Sequence, residues 1–218
     1  MEPGPIPLRT FVLATAGLIG IEILARWGIG RWGLAPLWGT GLARLLDIAW
    51  LALVITVCPR GWARMGLGRG NWRPGLQKGL IWSAGFGLLA ALAWAGLHLA
   101  GMDPLRVIQP GPAARQAPPA LLFLVGGLIG PVAEEIYFRG LVYGSLRRWG
   151  FWPALALSTL MFTLLHAGAT GLPITQIVGG IVFAVAYEIE KTLLVPIAVH
   201  VLGNLAIFSL PHLLGLYF

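Results

Sequence analysis

The sequence predicts an all-α, polytopic transmembrane helix bundle, and three observations predict it. Of 218 residues, 57% are hydrophobic and 11% charged, where a soluble domain carries about 25% charged residues. Mean hydropathy is +0.81. Apolar runs follow one another at 10–27, 42–58, 76–100, 119–143, 152–168, 173–189 and 192–209, and a span needs about 20 such residues. A domain of this size cannot hide that much apolar surface in one aqueous core. Soluble enzymes, nucleic-acid modules and disordered chains do not fit, so one membrane domain over 1–218 is expected. All spans should be helices, because backbone in lipid must satisfy its own hydrogen bonds.

The run 10–27 holds Glu22 and Arg26 and has no small-residue cleavage site, so it is a span and not a signal peptide. These two residues are four apart and should pair along one helix face. In the run 42–58, Arg44 and Asp47 are three apart and should do the same. Both pairs read as structural. The stretch 59–78 carries Arg60, Arg64, Arg69, Arg73 and Lys78 without an acid, which places it in the cytoplasm. The run 76–100 then leaves, the Pro-rich loop 101–118 lies outside, and 119–143 returns to end at Arg147 and Arg148. By the same alternation 169–172 is outside, and Glu188 to Lys191 and the N-terminus are inside. Arg26, Arg31 and Arg44 then fall on the outer side, against the rule. Seven spans result, or eight if 192–218 divides differently.

Net charge is +7 with an isoelectric point near 10.5. The basic residues sit in short stretches between apolar runs, a topology signal and not a nucleic-acid surface. The single cysteine, Cys58, allows no internal disulfide and no thiol cluster for zinc. Gly126, Gly127, Gly130, Gly179 and Gly180 read as close helix packing.

Ionisable groups in hydrocarbon are costly, so each is a functional candidate. The run 119–143 reads Gly130-Pro131-Val132-Ala133-Glu134-Glu135-Ile136-Tyr137-Phe138-Arg139. Neighbouring residues are about 100° apart on a helix, so the two acids face different ways. Glu135 and Arg139 can pair at i,i+4, which leaves Glu134 without a local partner. His166 follows Phe162 by four, and His200 precedes Asn204 by four. Glu134 is thirteen residues before Arg147, His166 fourteen after Trp152, and His200 and Asn204 nine and thirteen after Lys191. At about 1.5 Å per residue these positions share a depth of roughly 14–21 Å from one membrane face. One intramembrane site is expected from that agreement.

The set holds no activated nucleophile: Ser83, Ser145, Ser158 and Ser209 lack the setting, and Cys58 is remote in sequence. The economical chemistry is attack of water on an amide. Glu134, helped by His166, would take the proton, and His200 with Asn204 would stabilise the oxyanion. No cofactor is called for.

In order, Glu134-Glu135-x-x-x-Arg139, Phe162-x-x-x-His166 and His200-x-x-x-Asn204 resemble the three motifs of the CPBP family. These are the CAAX-protease and bacteriocin-processing (Abi) intramembrane glutamic endopeptidases. The stretch Tyr187 to Thr192, and Pro196 before His200, are similar to the same family. The resemblance covers about 118–206, the expected catalytic core, and leaves 1–117 as N-terminal helices. It implies that Glu134 is the base, His166 its partner, His200 and Asn204 the oxyanion site, and Glu135 and Arg139 its support. It also implies a membrane-anchored protein or peptide substrate in the bilayer of a bacterial cell. A zinc-dependent membrane protease remains an alternative, although HExxH is absent. A non-catalytic bacteriocin-immunity or membrane-interaction protein is another, and a transporter is a third.

Overall fold

The computed structural model describes residues 5–68, 70–104, 118–166 and 173–213. Most of the expected outer loop 101–118, with Arg106 and Arg115, lies outside these residues, as do Arg69 and the loop 169–172. Among the described residues every regular element is helical, as an all-α membrane bundle requires.

The helices are α1 (Leu8–Trp32), α2 (Pro36–Val57), the short α3 (Gly61–Arg64), α4 (Trp72–Leu99), α5 (Pro119–Trp149), α6 (Phe151–His166), α7 (Ile174–Glu190) and α8 (Leu194–Leu213). Each of the seven expected runs has its helix. Four of them, α1, α2, α4 and α5, are long and apolar enough to cross a membrane; α6 and the 194–210 part of α8 are apolar but shorter. Observed ends differ from expected ones where the backbone caps. α1 continues through Arg31 and Trp32 and stops at Gly33, which takes φ 63°, a conformation glycine adopts without penalty. α8 begins at Leu194 and not at Thr192, because Lys191 takes the left-handed cap of α7 at φ 53°.

α1 and α2 form an antiparallel pair, α4 lies on α8, and α5 runs through the middle against α2, α6, α7 and α8. The most apolar stretch of α5 is 61% buried and that of α4 not at all. α4 therefore lies at the periphery with its apolar face uncovered, and α5 is the core. Gly75 and Gly79 let α4 approach Leu194 and Ala198 of α8, as small residues do in membrane packing.

The segments expected in the cytoplasm meet at one end of the bundle. Ile6 N–H donates to Gly144 O at 3.0 Å and Leu193 N–H to Met65 O at 3.0 Å. Gly66, at φ 71°, lies so close to Lys191 O that a Cβ would sit 2.0 Å from it. Glu188 accepts from Arg147, Lys191 and the Tyr143 hydroxyl at 2.6–2.8 Å.

Candidate active site

α5 supplies Glu134, Glu135 and Arg139, α6 supplies His166, and α8 supplies His200 and Asn204. α5 is not a regular α-helix. Two wide π-helical stretches, Phe123–Ile129 and Ile136–Tyr143, flank the segment that carries the acids. Pro131 explains the first. The N–H of Gly130 goes to Val125 O, and Pro131 has no N–H to offer. Gly126 O is thereby left without a donor from the next turn. Asn204 Nδ2 supplies one at 2.9 Å. The Gly-Pro break and Asn204 thus belong to one arrangement.

Glu135 and Arg139 are both fully buried, and Arg139 Nη1 donates to Glu135 Oε1 at 2.7 Å. The same oxygen lies 2.7 Å from His200 Nδ1. Arg139 also donates from Nη2 to Gly180 O at 3.3 Å. Its guanidinium lies 4.7 Å and 5.0 Å from the ring centroids of Phe162 and Phe183, a cation–π setting that suits a desolvated cation. Phe183 stacks on His200, with centroids 4.5 Å apart and planes 22° apart.

Glu134 faces the other way, and its side chain keeps 19% exposure. His166 Nε2 is 3.5 Å from Glu134 Oε1, and His200 Nε2 is 3.8 Å from Glu134 Oε2. His166 Nδ1 is 2.7 Å from Phe162 O. A carbonyl only accepts, so that nitrogen carries the proton. The Glu135 carboxylate likewise accepts a hydrogen bond from His200 Nδ1–H. Both Nε2 atoms are therefore free to work, and both are directed at Glu134.

Glu134 and His166 stand in a cavity of about 470 Å³ between α1, α2, α5 and α6. Its far wall carries Glu22, Arg26, Arg44 and Asp47. The expected Glu22–Arg26 pair does not form. Glu22 instead pairs with Arg44 across the helices at 2.6 Å, and Arg44 also holds Asp47 at 2.5 Å. A guanidinium shared by two carboxylates outcompetes a pairing along one helix. Sequence reasoning noted these ions but not that they share the cavity of Glu134, because helix periodicity carries no information between helices. Phe183 was missed altogether; nothing distinguishes it from other apolar residues until His200 lies on it.

Glu134, His166 and His200 are thus brought together, with Glu135 and Arg139 directly behind His200. Asn204 is one turn along α8, held by Gly126. Among the described residues no group of three His, Cys, Asp or Glu side chains is arranged to hold a metal ion.

The family model described as type II CAAX prenyl endopeptidase Rce1-like matches residues 116–206. The resemblance drawn from the three motifs holds over that segment. The putative membrane peptidase YdiL of Bacillus subtilis is 34% identical over 85 residues, 38% of this chain and 34% of that protein. The membrane-embedded CAAX protease MroQ of Staphylococcus aureus is 36% identical over 93 residues, 39% of this chain and 37% of that protein. The chain thus matches about a third of the length of these curated relatives. No solved structure matches it. These likenesses and the long apolar helices make it an integral membrane protein.

Proposed function

We propose that this protein is an intramembrane glutamic endopeptidase that hydrolyses a peptide bond of a membrane-associated protein or peptide. One observation carries the proposal: two imidazole Nε2 atoms, from α6 and α8, are directed at the Glu134 carboxylate inside a cavity. The names of the matched family and relatives support the coarser reading of a membrane protease. Glu134 removes a proton from water while the water oxygen attacks the scissile carbonyl carbon. His166 Nε2 accepts a hydrogen bond from the protonated Glu134, takes that proton and passes it to the leaving amine as the C–N bond breaks, which returns Glu134 to the carboxylate. Asn204 has a second amide N–H beyond the one given to Gly126 O, and this stabilises the oxyanion. His200 Nδ1–H donates a hydrogen bond to Glu135. The ring donates to the oxyanion only with a second proton on Nε2, and Glu135 is then its counter-charge. With Glu134 neutral after taking the proton, the oxyanion, Glu135, Arg139 and the doubly protonated His200 balance to zero, which limits the cost of charge in hydrocarbon. Metal is not required, and the site would operate in a bacterial cell membrane.

The test compares membrane-protein termini in cells carrying the wild type, Glu134→Gln or no protein. New termini that need Glu134 support the reading. A phenotype that survives Glu134→Gln unchanged points to a non-catalytic immunity or interaction protein. Loss of cleavage in strong chelator, restored by zinc, points to a metalloprotease using the same side chains.

A further inference from the structure

The wall of the cavity opposite Glu134 is built from α1 and α2, outside the segment that resembles known peptidases. It holds four charged residues, of which Arg26 is exposed and lies near the C-terminal end of α1, and charges that line a cavity of a membrane protein are candidate binding groups. Three are committed to one another: Arg44 lies between Glu22 and Asp47. Arg26 is not. Its helical neighbour Glu22 has been taken by Arg44, and Arg26 has no ion-pair or hydrogen-bond partner among the described residues while lining the same cavity. Glu134 is the uncommitted acid of the cavity, and Arg26 is its uncommitted cation.

The two stand at different levels. Thr15 of α1 and Tyr137 of α5 are hydrogen-bonded at 3.1 Å, which puts them level. Arg26 is eleven residues beyond Thr15, and Glu134 is three residues from Tyr137 on the same side. At about 1.5 Å per residue, Arg26 is roughly 12 Å further along the bundle axis than Glu134, or about four residues of extended chain at 3.3 Å each. The cavity is polarised, with a cation at one end and the water-activating carboxylate at the other. A peptide carrying a negative group would be oriented by that field, with the group on Arg26 and a bond some four residues away beside Glu134. Planar carboxylate matches the guanidinium fork.

We propose that Arg26 is a specificity-determining residue that binds a carboxylate of the substrate peptide, held ready by the Glu22–Arg44–Asp47 cluster that leaves it unpaired. The carboxylate is either the C-terminus of the peptide or an acidic side chain. This rests on the peptidase reading for what the cavity holds, but its test is binding without turnover. The full chain carrying Glu134→Gln is placed in phosphatidylcholine nanodiscs. Three matched fluorescent apolar octapeptides are titrated: one with a free C-terminal carboxylate, one amidated, and one amidated with a single internal Glu. The free acid should bind about ten-fold or more tighter than the plain amide, the scale of one charge-assisted contact. Arg26→Gln should abolish that preference, and Arg26→Lys, which keeps the charge but not the fork, should retain only part of it. Equal binding of the Glu-containing amide and the free acid makes a side chain the source; tight binding of the free acid alone makes it the C-terminus. Equal affinity for all three peptides overturns the proposal. So does a preference that survives Arg26→Gln, or an Arg26→Gln effect confined to nanodiscs with phosphatidylglycerol, which would make Arg26 a lipid-headgroup anchor. Failure here leaves the Glu134 test standing, and failure of hydrolysis would leave a measured carboxylate preference intact.

Discussion

Glu134 and Glu135 are adjacent in sequence and belong to different regions of the molecule. Glu135 lies in a closed knot, in contact with Arg139 and His200 at 2.7 Å and without exposure. Glu134 lies in the open cavity, with its imidazole neighbours at 3.5 Å and 3.8 Å, too far for good hydrogen bonds. The knot has the geometry of an interaction made to persist. The cavity side has the geometry of groups that wait for another molecule, and water fits between them. A 100° step on one helix is enough to give two identical side chains these separate settings.

The largest expected effect is on the open side. Glu134→Gln keeps shape but removes the proton acceptor, so cleavage should fall about 10²–10⁴-fold. The melting temperature in detergent should hardly change. Full activity in this variant would make both acids structural and erase the distinction.

The knot should respond in the opposite manner. Glu135→Gln leaves Arg139 buried without its counter-charge, and breaking one side of a buried pair costs about 3–5 kcal/mol. Thermal unfolding should move down accordingly. The double change Glu135→Gln, Arg139→Gln should recover part of the loss; a double variant no more stable than the single one would show that the pair is not the source.

A smaller effect sharpens the boundary between the two regions. Asn204→Ala removes the donor to Gly126 O, and leaving this part-buried carbonyl unsatisfied should cost about 1 kcal/mol, the low end of the range for buried groups. In a Pro131→Ala background an N–H returns at 131 and can serve that turn. The cost of Asn204→Ala should then shrink, a coupling that a double-mutant cycle measures. Equal costs in the two backgrounds would separate Asn204 from the proline break.

The smallest effect lies at the end of the bundle expected to face the cytoplasm, beyond the span 173–189. Lys78 pairs with Glu190 at 2.6 Å, and its hydrogen bond, with that of Trp82, holds the Glu190 carboxyl below the usual carboxylate range. A lowered pKa means stabilisation that is present above the ordinary range and lost as pH falls through it. Because the pair is solvent-accessible, Lys78→Ala should cost no more than about 1 kcal/mol at neutral pH, and less in acid. An effect as large as that of Glu135→Gln would place this pair inside the core.

The sequence by itself determined the helical membrane bundle, because a bilayer permits few ways to satisfy a backbone and the apolar runs have the length it demands. It also determined the three motifs and the Glu135–Arg139 pair, since i,i+4 neighbours meet on any helix. Their common depth followed from rise per residue alone. Only the tertiary structure decided which partners each polar group took from other helices. Glu22 chose Arg44 over its own helical neighbour Arg26. His200 gave Nδ1 to Glu135 and turned Nε2 to Glu134. Asn204 went to a carbonyl that Pro131 had freed. These choices depend on how helices rotate against one another, and that rotation is set by the packing of the whole bundle, which no local pattern encodes.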